Sequence, residues 1–235
     1  MKLVSITLVK DEEFWIWYVL TALHPFVDRM LVFDNGSRDA TLPIIRSMAH
    51  VRDKLELREG FLGDSEDQMR EATLEAARAA GATHALIADG DEVWPADDLA
   101  FCRRLLESVE HRAPQPFPAD PSDPPGASGA VIRHLGVRPL HPSYAAPGRS
   151  AALDWRQPET DHGCYNFAVR FMALDGLIGN RREWRHHGYV DSDGFFVQAS
   201  PHTLWLPRIH YYHFMLHPRS ERRYDQQGFR HWRPM

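Results

Sequence analysis

Three carboxylates stand within four residues at Asp89-Gly90-Asp91-Glu92. Packed that closely they repel one another. A divalent cation that takes oxygen ligands, Mg²⁺ or Mn²⁺, relieves the repulsion. Gly90 has no Cβ to obstruct a sharp bend, so Asp89 and Asp91 can turn towards a common point. The preceding run, Ala85-Leu86-Ile87-Ala88, is apolar in the manner of a strand buried on both faces of a parallel sheet. Ligands of open α/β sheets bind outside the carboxyl ends of such strands. The same four residues also fit a solvated turn ahead of a helix, so the motif alone leaves both readings open.

The elements that must position this motif come before it. Leu3 to Val9 is β-rich and ends at Lys10-Asp11-Glu12-Glu13. Asp11 can cap a following helix, and Glu12 and Glu13 suit the positive end of its dipole. Phe14, Trp17, Tyr18 and Thr21 share one face of that helix. Arg29 to Phe33 reads as a second strand, followed by Asp34-Asn35-Gly36-Ser37-Arg38-Asp39-Ala40-Thr41. Asn35-Gly36 signals a tight turn, and Ser37 or Asp39 can cap a helix over Thr41 to His50. Leu55 to Arg58 is a short third strand. Gln68 to Ala80 is an amphipathic helix with Met69, Ala72, Ala76 and Ala80 on one face and Gly81 as its C-cap. This β-α-β-α-β-α-β alternation implies a mostly parallel sheet with helices on both faces. Polar clusters after the first, second and fourth strands converge on one edge of it. No Gly-x-Gly-x-x-Gly or Walker lysine motif follows the first strand, which disfavours a dinucleotide fold and a P-loop.

Composition is that of an ordinary globular chain. It has 235 residues, 43% hydrophobic and 25% charged, enough for one large domain with a sizeable core. The net charge of −5 argues against a nucleic-acid partner held by bulk electrostatics. The first residues are too short an apolar run for a signal peptide, and no stretch approaches a membrane span of roughly 20 residues. Cys102 and Cys164 are too few for a disulfide framework. A cytoplasmic protein is the expectation.

Taken together and in order, Lys10-Asp11-Glu12-Glu13, Asp34-Asn35-Gly36-Ser37-Arg38-Asp39-Ala40-Thr41 and Asp89-Gly90-Asp91-Glu92 resemble the motifs of family 2-like glycosyltransferases with the GT-A fold. The acidic motif corresponds to what is called DxD in that group, and the match covers roughly residues 1–100. The resemblance implies a Rossmann-like α/β sheet flanked by helices, with a smaller mixed acceptor-side region. It implies a nucleotide-sugar-binding half over 1–112, a proline-rich loop over 113–128 and an acceptor-side half over 129–235. The implied partners are a UDP- or GDP-sugar donor and an acceptor hydroxyl. On this resemblance Thr7, Val9 and Glu12 line the nucleotide pocket and Asp34 contacts base or ribose. Arg70 lies near the diphosphate or base, Asp89 reaches the ribose with Gly90 beside it in the nucleotide-sugar site, and Asp91 holds Mn²⁺ or Mg²⁺. A bridging cation there offsets the negative charge that develops on a departing diphosphate. Asp39 fits a helix cap at least as well as a ligand.

The second half is less explicit. Residues 95–112 read as a helix with Cys102 on its apolar face. Six prolines between residues 113 and 126 then preclude regular structure. Gly129 to His134, Phe167 to Leu174 and Leu204 to Tyr212 read as strands. In related enzymes a late histidine completes the metal shell; the resemblance points first to His210 and second to His213. An inverting transfer needs a carboxylate base. Glu159, Asp161, Asp191 and Asp193 are the candidates, with Asp161 and then Asp191 preferred. Arg219, Arg222 and Arg223 form a basic tail that fits either solvent or a diphosphate. A sugar nucleotidyltransferase is the rival enzyme, although its glycine-rich basic loop is absent. A GT-A domain that only binds sugar or nucleotide is the rival from another class.

Overall fold

The computed structural model describes residues 1–60, 66–110, 132–140, 168–183, 186–214 and 219–220. Its frame is an eight-stranded mixed sheet. In chain order the strands are β1 (Leu3–Val9), β2 (Arg29–Asp34), β3 (Leu55–Glu59), β4 (His84–Ile87), β5 (Glu92–Val93), β6 (His134–Leu140), β7 (Ala168–Ala173) and β10 (Thr203–His213). Two further strands, β8 (Leu177–Glu183) and β9 (His186–Asp191), form a separate antiparallel hairpin. The order across the sheet is β3-β2-β1-β4-β7-β6-β10-β5. Neighbours from β3 to β4 are parallel, β7 runs antiparallel to β4 and β6, and β10 is parallel to β6. The expected α/β architecture is therefore present, with its parallel half at the N-terminus and its mixed half at the C-terminus.

The central strands are apolar at successive positions because both faces of the sheet are covered. Leu3, Met30, Val32 and Leu86 face one layer. Val4, Leu31, Phe33 and Ala85 face the other. The first layer packs under α1 (Ile16–Leu23), α2 (Thr41–Ser47) and α4 (Ala96–Glu110). The second packs under α3 (Glu66–Ala79) and the β8–β9 hairpin. Cys102 is a core thiol as expected, and burial pushes it up to about 12. No helix among the described residues is long and apolar enough to cross a membrane.

Several local expectations are corrected. Helix α1 buries Ile16, Val19, Leu20 and Leu23, so the aromatic face of Phe14, Trp17 and Tyr18 points outward. Its N-cap is Trp15 without a side-chain cap, and Asp11 stands in the left-handed region at φ 54°. The first strand of the second half begins at His134, where the sequence pattern suggested it would end. Gly136 and Pro139 disguise it as a breaker-rich segment. Gly136 is there for space, since a Cβ would sit 2.1 Å from Cε3 of Trp205 on β10. The proline-rich loop lies outside the described residues.

His134 is fully buried, and neither ring nitrogen hydrogen-bonds to a described residue. Burial, against the pull of Asp191, lowers its basicity to about 4 from the usual 6.5. The unfolded chain therefore takes up a proton that the fold refuses. The associated stability is complete above pH 6.5 and is lost as pH falls from 6.5 towards 4. The gap corresponds to on the order of 3 kcal/mol. Urea unfolding at pH 7.5 and 4.5 is expected to show this loss in the wild type and a much shallower one in His134→Gln. Parallel slopes would exclude His134 as the source.

Candidate active site

The sheet order places β1 and β4 side by side with β2 and β3 beyond β1, so chain direction across the sheet reverses between them. That is the switch point where α/β sheets form a crevice. A cleft of about 420 Å³ opens there. Leu8, Val9, Lys10 and Glu12 line it from the end of β1, and Asn35 from the end of β2. Met69 and Arg70 come from α3, Asp89, Gly90 and Asp91 from the end of β4, and His213 and Arg219 from the C-terminal part.

The first two motifs hold each other in shape. The Asp11 N–H donates to Ser37 Oγ at 2.9 Å, and Asp11 Oδ1 accepts from the Arg38 N–H at 2.7 Å. The Glu12 N–H donates to Thr41 Oγ1 at 2.8 Å. The Glu13 N–H donates to Asp39 Oδ2 at 3.1 Å, and Glu13 Oε2 accepts from the Ala40 N–H at 3.0 Å. Asp39 Oδ1 also accepts from the Thr41 N–H at 2.9 Å, but the cap position of α2 is Ala40, so neither Ser37 nor Asp39 is its N-cap. Asp11 thus buttresses the loop after β2 instead of capping α1. Asp34 is buried and accepts the Gly36 and Ser37 N–H groups at 3.0 Å each. It shapes the turn, while its neighbour Asn35 lines the cleft.

The acidic motif turns sharply after Ala88. The Glu92 N–H donates to the Asp89 carbonyl at 3.1 Å, closing the turn. Gly90 is required by proximity: a Cβ would lie 2.8 Å from Glu12 Cγ and 3.0 Å from Val9 Cγ1. The three carboxylates then separate. Asp89 stays a third exposed, whereas Asp91 and Glu92 are buried.

Each buried acid has a basic partner from a distant part of the chain. Leu86 pairs with Phe171, so Arg170 on β7 stands next to Ile87, just ahead of the motif. Arg170 hydrogen-bonds Glu92 Oε1 and donates to Tyr211 Oη from Nε at 3.2 Å and from Nη2 at 3.1 Å. Its Nη2 is 3.7 Å from Asp89 Oδ2. Burial pushes the Glu92 carboxyl up to about 8 against the pull of Arg170, with Asp89 and Asp91 adding repulsion. The surrounding acids keep Arg170 protonated. Asp91 behaves oppositely. Burial would raise it, but the His213 hydrogen bond and the Arg219 charge outweigh burial and hold it below the usual carboxylate value.

Around Asp91 Oδ2 the geometry is specific. His213 Nε2 lies 3.5 Å away and Arg219 Nη2 lies 2.7 Å away. Both are charge contacts to one oxygen, the arginine close and the histidine at the limit of hydrogen-bonding distance. Arg219 Nη1 donates to Glu12 Oε1 at 3.1 Å. The backbone of this segment is fixed as well: the Phe14 N–H donates to the Arg219 carbonyl at 3.1 Å, and Trp15 stacks on Phe214 at 3.8 Å.

Of the residues selected from sequence, Val9, Glu12, Arg70, Asp89, Gly90 and Asp91 are brought together in the cleft. Thr7 is buried within β1, and Asp34 is occupied by its turn. His210 is directed elsewhere: its Nδ1 lies 3.1 Å from Asp98 Oδ2 on α4, and its N–H donates to the same oxygen. The second choice, His213, is the histidine beside Asp91. Asp191 is buried outside the cleft lining, with Oδ1 accepting the Asp193 and Phe195 N–H groups. It staples the turn after β9 and is not aimed into the cleft. Asp161 lies outside the described residues. Arg170 was missed, since nothing local to it signals a site; Lys10 and Asn35 lie inside the first two motifs but were not singled out as site residues.

No family model matches this chain, and neither does any curated protein. Solved structures do. The fold is similar to that of S. aureus TarS. Against the TarS crystal structure the TM-score is 0.54 at 15% identity, over 92% of this chain and 37% of TarS. Against S. aureus TarS 1–349 in complex with UDP it is 0.50 at 14% identity, over 92% of this chain and 61% of that one. The chain thus spans between about a third and three-fifths of the structures it matches. A mannosyltransferase from Pyrobaculum calidifontis, in complex with GDP-Man and Mn²⁺, is matched at a TM-score of 0.40 and 20% identity over 57% of this chain and 34% of that one, too slight a likeness to weigh. At these identities the likeness is one of fold, and the chemistry rests on the cleft.

The cleft tolerates its acids only while the bases are in place. Arg170→Met leaves Glu92 buried without a partner; because that carboxyl, already pushed up to about 8, then stays protonated, the expected cost is that of a lost hydrogen-bond partner, about 1–3 kcal/mol in urea unfolding. Adding Glu92→Leu is expected to recover most of the loss. No recovery in the double variant would show that Arg170 acts through packing alone.

Proposed function

We propose that this chain is a family 2-like glycosyltransferase, moving a sugar from a nucleoside-diphosphate sugar to an acceptor hydroxyl. The observation that carries the reading is the cleft's charge pattern. Glu12, Asp89 and Asp91 line it together with Lys10, Arg70 and Arg219. A site for an organic anion alone has no use for three acidic side chains. A site for a cation alone has no use for three basic side chains. A diphosphate bridged by a divalent cation uses both.

The residues fit such a cation. Asp91 is a buried acid that faces basic groups in the cleft, and Asp89 and His213 add an oxygen and a nitrogen donor of the kind Mn²⁺ accepts. Among the described residues no group of three or more His, Cys, Asp or Glu side chains stands together so as to hold a metal ion by itself, so the ion would need the diphosphate as a co-ligand. When bound, the ion supplies charge stabilisation to the departing diphosphate.

The chain's own residues do the remainder. Lys10 and Arg70 attract and orient the diphosphate, and Asn35 offers its amide to the nucleoside end. We assign an inverting displacement. The acceptor oxygen bonds to the anomeric carbon, the bond to the diphosphate breaks with its electron pair, and a carboxylate takes the hydroxyl proton. Asp161 is the base to test first. UDP is the first nucleotide to test, since TarS 1–349 binds it.

Calorimetric titration of UDP and GDP, with and without Mn²⁺, tests the donor site. One of the two is expected to bind at least tenfold more tightly with Mn²⁺, and Asp91→Asn is expected to abolish that gain while the protein still melts cooperatively. Metal-independent binding unchanged in Asp91→Asn would refute a role for Asp91 in donor binding.

A further inference from the structure

We propose that Arg219 is the resident counter-ion of Asp91, and that a divalent cation entering the cleft must displace it. The inference rests on reading the cleft as a metal-assisted donor site and concerns what fills the metal's place before it arrives. Asp91 is almost wholly buried, and an uncompensated carboxylate at such depth is strongly destabilising. Arg219 Nη2 at 2.7 Å from Oδ2 supplies the missing charge, with His213 Nε2 at 3.5 Å as a weaker second.

The contact has the character of a placeholder. The guanidinium nitrogen, 2.7 Å from Oδ2, holds the charge position that a metal ion at that oxygen would take. A dication at Oδ2 would occupy the space now held by Nη2 and would repel the guanidinium. The two are therefore alternatives at one oxygen. Arg219 has somewhere else to stay, because Nη1 is hydrogen-bonded to the buried Glu12 Oε1 at 3.1 Å. Its backbone is also fixed, through the bond from the Phe14 N–H. Only the tip of the side chain has to move, and it remains at the cleft wall, where a diphosphate would meet it.

Competition for one oxygen is a coupling between two cations, and it is reciprocal. While Arg219 is in place it weakens metal binding, and a bound metal sets Arg219 loose. The site resists stray divalent cations, and a ligand that draws Arg219 to itself removes that resistance. Metal and diphosphate then bind cooperatively even before they touch each other.

The test is Mn²⁺ affinity of the nucleotide-free protein, measured by the paramagnetic resonance signal of free Mn²⁺. Arg219→Met and Arg219→Gln are both used, so that a folding failure in one leaves the other. Each is expected to bind Mn²⁺ at least about fivefold more tightly than wild type, at the lower end of typical couplings. Arg219→Lys, which keeps the charge, is expected to stay near wild type. Without Mn²⁺ both neutral variants are expected to melt below wild type, and saturating Mn²⁺ is expected to restore them more than it raises wild type. A merely structural arginine would lower the melting temperature with or without Mn²⁺ and would not tighten the metal. Equal or weaker Mn²⁺ affinity in the neutral variants, with Mn²⁺-dependent UDP binding intact in wild type, overturns the competition and leaves the donor-site reading standing. Failure of wild type and both variants to bind Mn²⁺ overturns the competition and the metal-assisted reading together.

Discussion

The structure depends on how buried negative charge is neutralised at the end of β4. Two acids are essentially out of solvent beside the part-exposed Asp89: Asp91, held ionised below the usual carboxylate value, and Glu92, pushed up to about 8, whose charge exists only as far as Arg170 supports it. Desolvating each costs several kcal/mol. A single opposite charge at about 4 Å returns about 4 kcal/mol at the effective dielectric of partly buried sites. These magnitudes are comparable, so each buried acid needs its own close partner. Glu92 has Arg170, and Asp91 has Arg219 and His213. The mixed half of the sheet is what brings them: β7 runs antiparallel beside β4 to deliver Arg170, and β10 ends beside β5 to deliver His213.

The two partnerships differ in kind. Arg170 is enclosed by Glu92, Tyr211 and Asp89, and its hydrogen bonds are directed. It is a fixed support of the acidic motif from behind the cleft lining. Among the described residues Arg219 hydrogen-bonds Glu12 and meets Asp91 in an ion pair at 2.7 Å. One arginine therefore defines the shape of the acid motif, and the other balances its charge in a replaceable way. A site that must accept and release a cation needs that division, because an acid locked by directed bonds on every side has nothing left to offer.

The parallel half was legible in the sequence because its determinants are local. Apolar strands, the Asn35-Gly36 turn and Gly81 at the end of α3 act over a few residues. The three polar motifs also pointed to the right edge of the sheet, and the hydrogen bonds between Asp11–Glu13 and Ser37–Thr41 explain why the first two occur together. What was not legible acts over distance. Arg170 lies 78 residues from Glu92, and Arg219 lies 207 from Glu12. His210 and His213 share a strand, and only the strand's pairing decides which one meets Asp91. Strand β6 was displaced because Gly136 and Pro139 look like breakers, whereas Gly136 makes room for the Trp205 ring. The outward aromatic face of α1 went astray because its period is helical on both faces, and Ile16, Val19 and Leu20 won the core.

The central claim is that Asp91 is the residue at which a divalent cation meets a nucleoside diphosphate. Crystals grown with UDP and Mn²⁺, measured at a wavelength where manganese scatters anomalously, test it most directly. The expected result is one strong anomalous peak within coordination distance of an Asp91 carboxylate oxygen, with the diphosphate on its other side. A diphosphate seated in the cleft with no anomalous peak at Asp91, or a peak elsewhere in the molecule, would contradict it.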